Sequence, residues 1–205
     1  MPARELPIVV FDVGNVLLRW DRRFLFRQLF DDEKAMEEFL ATACSMTWIL
    51  ELDRGMTFEE GVRRRVALFP HYEPQLRAFD ERWLETLGGP IEENVSILER
   101  LRAEGRPIYA ITNFSHEKFD VARAHFPFLD AFDGAIVSGR EGLVKPDRAI
   151  FDLFLARYRL RAEDTVFIDD SAANIEAARS VGMQAIRYAE GVDLGEELRA
   201  VGALA

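Results

Sequence analysis

Short unbroken apolar runs alternate along this chain with longer stretches whose apolar residues recur at helical spacing. Ile8-Val9-Val10-Phe11 is the first run, largely β-branched and closed by Asp12. Runs of this kind suit strands buried on both faces, as in a parallel sheet. Three more lie at 107–112, 134–138 and 165–169, with a shorter candidate at 184–187. Between them, Val95, Leu98 and Leu101 mark a helix that stops at Gly105. Ile150, Phe151, Phe154 and Leu155 mark the next, and Ile175, Ala178 and Val181 a third, ended by Gly182. Strands alternating with helices predict an α/β fold built on a doubly wound, mostly parallel sheet.

The stretch 19–89 breaks that rhythm. It holds no convincing strand run and reads as four or five helices. Met36, Phe39, Leu40 and Ala43 share a face. Thr57 and Glu60 stand at the spacing of a capping box. Pro74 suits the first turn of a helix that carries Leu76, Phe79, Trp83 and Leu87 and ends at Gly88-Gly89. The expected organisation is a core of 1–18 plus 90–205 with a helical domain over 19–89 inserted after the first strand. Helices packed directly on the sheet are the alternative.

Composition narrows the function. Acidic residues outnumber basic ones by 36 to 26, a net charge of −10, which is a poor match for a phosphate backbone and argues against nucleic acid as a partner. No apolar run approaches the roughly 20 residues of a membrane span. The stretch before Pro7 lacks a signal peptide's apolar core, so a cytoplasmic chain without a membrane partner is expected. Cys44 is the single cysteine, and the three histidines are scattered, which excludes an internal disulfide and disfavours a His/Cys zinc site.

In doubly wound sheets ligands bind beyond the carboxyl ends of the strands. Here those ends carry Asp12-Val13-Gly14-Asn15-Val16, Thr112-Asn113-Phe114-Ser115 and Asp169-Asp170-Ser171, with Gly142-Leu143-Val144-Lys145-Pro146 after the third strand. Three carboxylates, a hydroxyl, an amide and a lysine on one edge suit a hard, oxygen-loving cation beside an anion held by Lys and Thr.

These four segments, in this order, resemble the four signatures of the haloacid dehalogenase-like hydrolases, over about residues 8 to 190. The resemblance implies a Rossmann-like sheet with a helical cap, and Asp12 as a nucleophile that forms a covalent aspartyl intermediate later hydrolysed by water. In the phosphatase branch it further implies Mg²⁺ held by the Asp12 carboxylate, the Gly14 carbonyl and Asp170, with Asp169 acting through a water. Lys145 would neutralise phosphate oxygens and orient Asp12, while Thr112 and Asn113 would hydrogen-bond a phosphate oxygen. A small phosphomonoester is the substrate class implied, a class that includes sugar phosphates.

One departure stands out. Most phosphatases of the family carry a second Asp two positions after the nucleophile, as general acid and base, where this chain has Gly14. Such help is typically worth about 10²–10⁴-fold. A good leaving group, a proton from the cap or a bound water, or loss of turnover would each account for it. Metal-independent 2-haloacid dehalogenases also lack that Asp, since a halide leaves without a proton. Asp169-Asp170 weighs against them, because two unneutralised carboxylates would repel an anionic substrate. The Asp-Val-Gly-Asn-Val pattern also resembles the branch that contains bacterial α-D-glucose-1-phosphate phosphatase. A non-catalytic binding protein on the same fold is the remaining alternative, disfavoured by the intact Asp12, Lys145 and Asp170.

Other features read as structural. Trp20, Trp48 and Trp83 suit core packing, with Trp20 and Trp48 as alternative substrate contacts. Glu51, Asp53 and Arg54, just before Gly55, read as a solvated helix end, with one of them as a source of the missing proton the alternative. Arg63-Arg64-Arg65 reads as an exposed helix face, and Ser115 as an N-cap followed by an exposed His116.

Overall fold

The computed structural model describes residues 6–204. Five parallel strands form the sheet: β1 (Ile8–Phe11), β4 (Ile108–Thr112), β5 (Gly134–Val137), β6 (Thr165–Asp169) and β7 (Gln184–Arg187), in the order β5-β4-β1-β6-β7. All five expected runs are therefore strands. The chain fills one side of β1 with β4 and β5, then returns to fill the other with β6 and β7. That reversal opens a crevice at the carboxyl ends of β4, β1 and β6.

Alternation along the strands explains both covering layers. Val9 and Phe11 pack with Val95, Leu98 and Leu101 of α6 (Glu92–Ala103) and with Leu194 and Leu198 of α11 (Leu194–Ala200). Val10 points the other way, into Ile150, Phe151 and Phe154 of α9 (Arg148–Tyr158) and Ile175 of α10 (Ala172–Ser180). A strand buried on both faces has no polar position to spare, which is why these runs read as unbroken. Among the described residues no helix is long and apolar enough to cross a membrane.

Between β1 and α6 lie α1 (Arg23–Phe26), α2 (Glu33–Ala41), α3 (Met46–Asp53), α4 (Phe58–Leu68) and α5 (Glu73–Glu81). Side chains start three of these: Asp32 caps α2, Ser45 caps α3, and Thr57, the cap expected from the sequence, caps α4. Only half of the capping box forms, because the Glu60 carboxylate turns to Arg63 and Arg64. Arg65 leaves the expected exposed face. It donates to the Ala43 carbonyl at 2.6 Å and lies over the Phe69 ring.

Two short strands correct the all-helical reading of this stretch. α5 stops at Glu81, and Leu87 belongs to β3 (Leu87–Pro90), which pairs antiparallel with β2 (Leu18–Trp20). Pieces of three and four residues are too short for alternation to register, and Gly88-Gly89 reads as a stop. This ribbon straddles the expected limits at 18/19 and 89/90. The helices also share their core with the sheet. Phe26, Phe39, Phe58 and Phe79 belong to one apolar cluster with Val13, Ala110, Phe114 and Phe119. Phe119 lies on α7 (His116–His125), which follows β4.

Candidate active site

Asp12 leaves β1 with its N–H still bonded to the Ile168 carbonyl at 2.8 Å, so the sheet fixes its backbone. Lys145 reaches the same edge from the segment after α8 (Ser138–Glu141). Its ammonium lies 2.8 Å from Asp12 Oδ1 and 2.7 Å from Asp169 Oδ2, and donates to the Ile111 carbonyl at 2.9 Å. Three partners match its three N–H donors, so its position is over-determined. Asp169 is fully buried and also accepts from the Ser171 N–H at 2.8 Å and from Asn174 Nδ2 at 2.9 Å. Asp170, half-buried, takes a hydrogen bond from the Asn15 side chain. Asn15 in turn accepts from the Trp20 N–H at 2.9 Å and holds a left-handed backbone, φ 55°, tying the first loop to β2.

The Asn113 side chain is spent on Lys145. Its Oδ1 accepts from the Lys145 N–H at 2.7 Å, and its Nδ2 donates to the Lys145 carbonyl at 2.9 Å. It clamps the lysine's backbone, which leaves the Asn113 backbone N–H as the group available for the phosphate contact expected of this residue. Thr112 and Ser115 differ: both hydroxyl oxygens are buried with no hydrogen-bond partner among the described residues. Buried hydroxyls are ordinarily satisfied, so this pair at the end of β4 has bonding capacity in reserve. Ser115 stands at the N-cap position of α7 without capping it through its side chain, and His116 is half-buried rather than exposed.

Two carboxylates thus pair with one lysine, and a third, Asp170, clusters beside them. Burial is the chief reason the Asp12 carboxyl is pushed up to about 7; Lys145 opposes the shift, and Asp169 and Asp170 add to it. Burial and then Asp169 likewise raise Asp170. Burial works against the Lys145 charge too, yet Asp12 and Asp169 hold its pKa above the usual range. Asp12, Asp169 and Asp170 each present a carboxylate oxygen within 4.8 Å of the others. All-oxygen donors carrying surplus negative charge fit a hard divalent cation. Asp12 and Asp170 are the members facing the cavity, because Asp169 is committed to Lys145, Ser171 and Asn174.

Above this floor lies a cavity of about 260 Å³. Its roof is apolar: Leu18 and Trp20 of β2, Met46, Ile49, Leu50 and Leu52 of α3, then Phe58, Phe79, Trp83 and Leu87. Trp48 is buried in the core, the packing role expected of it, whereas Trp20 and Trp83 line the cavity. Lys118 also reaches the lining but is held by Asp80, through its carbonyl at 2.9 Å and its carboxylate.

Asp53 is the remaining roof acid. It is not a solvated helix end: it lines the cavity, and its carboxyl accepts from the Ser115 N–H. Burial pushes it up to about 7, against the opposing pull of the Ser115 N–H and Lys145. Its backbone is pinned by Ser138, whose hydroxyl donates to the Asp53 carbonyl at 2.6 Å and accepts from the Phe114 N–H at 2.8 Å. Glycines permit this approach. A Cβ on Gly55 would sit 2.9 Å from the Gly139 carbonyl oxygen, and one on Gly139 2.6 Å from the His116 nitrogen. Side chains there would push α3 off the strand ends.

The family description "haloacid dehalogenase-like hydrolase" matches residues 6–182. The sesquiterpene phosphatase astK of Aspergillus oryzae is 26% identical over 190 residues, 93% of each chain. The D-ribitol-5-phosphate phosphatase of Bacteroides thetaiotaomicron is 21% identical over 204 residues, 94% of this chain and 97% of that one. A family enzyme from the same bacterium, solved with magnesium and inorganic phosphate, superposes with a TM-score of 0.78 at 21% identity, covering 95% of this chain and all 100% of that one. The 2-haloacid dehalogenase of Pseudomonas syringae pv. Tomato follows the same fold, with a TM-score of 0.59 at 21% identity over 93% of this chain and 91% of its own. With its parallel sheet, its Asp12–Lys145–Asp169 edge and a match over most of its length, the chain belongs to the haloacid dehalogenase-like hydrolases.

Proposed function

We propose that this hydrolase is an Mg²⁺-dependent phosphatase that cleaves small phosphomonoesters through an aspartyl-phosphate on Asp12. One observation carries the reading: three carboxylates cluster around one edge, only Asp12 and Asp169 pair with Lys145, and two buried hydroxyls at the end of β4 are unpartnered among the described residues. A halide-releasing site has no use for that surplus charge, whereas a cation-bound phosphate offsets it.

In this reading Asp12, Asp170 and the Gly14 carbonyl hold Mg²⁺, with Asp169 behind them; when bound, the ion offsets repulsion between an anionic nucleophile and an anionic substrate. The free Asp12 oxygen attacks phosphorus as the ester P–O bond breaks and the alcohol departs, while Lys145 keeps the carboxylate aligned and screens the phosphoryl oxygens. Thr112 and Ser115 hydroxyls and the Asn113 backbone N–H receive those oxygens. Water then attacks the aspartyl-phosphate and restores Asp12.

The roof supports an apolar alcohol as the leaving portion rather than a sugar. Its side chains offer almost no partners for hydroxyl groups, and the likeness to a sesquiterpene phosphatase points the same way. Phosphate release from farnesyl monophosphate, n-hexyl phosphate, ribitol 5-phosphate and glucose 1-phosphate, with Mg²⁺ or with chelator, tests both halves. Mg²⁺-dependent release that favours the first two esters is expected. Chelator-indifferent halide release from short 2-haloacids would replace the reading with a dehalogenase.

A further inference from the structure

A P–O bond to an ordinary alcohol breaks slowly unless the departing oxygen receives a proton, and the floor of this cavity has no acid free to give one. Asp12 is the attacking group, and Asp170 would hold the cation with it. Lys145 is held by Asp12, Asp169 and the Ile111 carbonyl, and Lys118 by Asp80. Asp169 is closed in by Lys145, Ser171 and Asn174. No histidine, tyrosine or cysteine is among the described lining residues. Position 14 is not crowded, since a Cβ there would meet nothing within 4 Å, yet it carries no side chain.

One lining acid remains. Asp53, the last residue of α3, enters the lining from the roof elements and reaches down to the Ser115 N–H, between the apolar roof and the floor. We infer that Asp53 is the catalytic proton donor of this enzyme, an inference that rests on the phosphatase reading. As the P–O bond breaks, its electron pair passes to the alcohol oxygen, which takes the proton from the Asp53 carboxyl. The resulting carboxylate then removes a proton from the water that attacks the aspartyl-phosphate, which returns Asp53 to its starting form. The Ser115 N–H fits this cycle, because it is placed to stabilise the carboxylate stage. Burial holds the group up at about 7, so a substantial fraction carries its proton at neutral pH. The charged groups around it are Lys145, Asp12 and Asp170 on the floor and the Asp80-paired Lys118.

The test compares kcat/KM for esters whose alcohols differ in acidity, in wild type and Asp53→Asn. This constant reports the steps up to departure of the alcohol. For n-hexyl phosphate the variant should lose about 10²–10⁴-fold, and the alkaline limb of the wild-type pH profile, where the donor loses its proton, should disappear with it. For 4-nitrophenyl phosphate, whose alcohol leaves without a proton, the loss should be at least about 30-fold smaller. Turnover of this second ester also reports that the variant is folded. Equal losses on both esters would reduce Asp53 to a structural residue and overturn the inference, as would full activity on n-hexyl phosphate. A wild type that releases phosphate from no ester would instead bring down the phosphatase reading, and the proton donor with it.

Discussion

The floor and the roof of the cavity are built on opposite principles. On the floor the polar groups are interlocked, with the Thr112 and Ser115 hydroxyls in reserve: Lys145 has three partners, Asp169 has three, and even Asn113 is used to clamp a backbone. The roof is a sheet of apolar side chains from α3, β2 and the α5–β3 connection, broken by Asp53. A rigid, pre-organised floor suits the constant part of a reaction, in which charge must be met at fixed points. A roof with few directional contacts suits the variable part, the alcohol, which it selects by shape and polarity. Changes on the floor should therefore act on every substrate alike, and changes in the roof should act unequally.

The largest effect is expected from Asp12→Asn. Removing the nucleophile should lower kcat by about 10⁴-fold or more for every ester, with the fold retained. Steady-state rates and far-UV circular dichroism check it. Substantial residual turnover would mean that water attacks phosphorus directly, and the covalent route would fall.

Lys145→Ala comes next and attacks the network itself. Breaking a buried ion pair by deleting one partner costs about 3–5 kcal/mol, because the remaining charge stays buried. Here Asp12 and Asp169 would both lose their counter-charge, and urea denaturation in chelator reads the loss. A cost under about 1 kcal/mol would show that the carboxylates simply take up protons and that the floor is less interlocked than its hydrogen bonds suggest.

The contrast between the two walls also explains what could be read from the chain. Asp12, Thr112, Lys145 and Asp169 end or follow strands whose unbroken apolar runs are visible in any window, so strand-end logic finds them. Asn15 and Asn174 stand in the same segments, but which side chain faces which carboxylate depends on loop geometry with no periodic signature. The Asn113 clamp is likewise hidden, because its partner lies 32 positions away on another loop. Roof residues are harder still. Leu50, Trp83 and Leu87 look like any amphipathic helix or connector, and only the packing of α3 against the strand ends turns them toward the cavity. Asp53 reads as a helix end until the Gly55–Gly139 approach brings it under cover.

A roof substitution sharpens the comparison at smaller scale. Leu50→Asn adds a polar group where the alcohol would pack. A mismatch of this size is worth about 1–3 kcal/mol, so kcat/KM for n-hexyl phosphate should fall by roughly 10–100-fold. Acetyl phosphate, whose leaving portion is small and needs little packing, should fall by less. Parallel losses for the two substrates would show that Leu50 supports the floor, and the division of labour would not hold.

The smallest effect concerns the roof's one acid and needs no substrate. Asp53 is pushed from 3.8 up to about 7 by burial, so between those values the folded chain holds a proton that the unfolded chain has released. Stability falls with rising pH wherever the folded state binds more protons. The Asp53 contribution is therefore neutral below about pH 4, declines towards pH 7 and is fully unfavourable beyond. Asp12 contributes in the same direction, so wild type in chelator should melt lower at about pH 8 than at about pH 5. Asp170, also raised, acts in the same direction, and Asp53→Asn removes one of these three shares. Its melting temperature should draw ahead of wild type by a few degrees as pH rises through that window, then keep a constant lead. Two curves that stay parallel from pH 5 to pH 8 would mean that Asp53 ionises as freely in the folded chain as in the unfolded one. The roof would then hold no proton in reserve, and the missing acid would have to be sought outside this cavity.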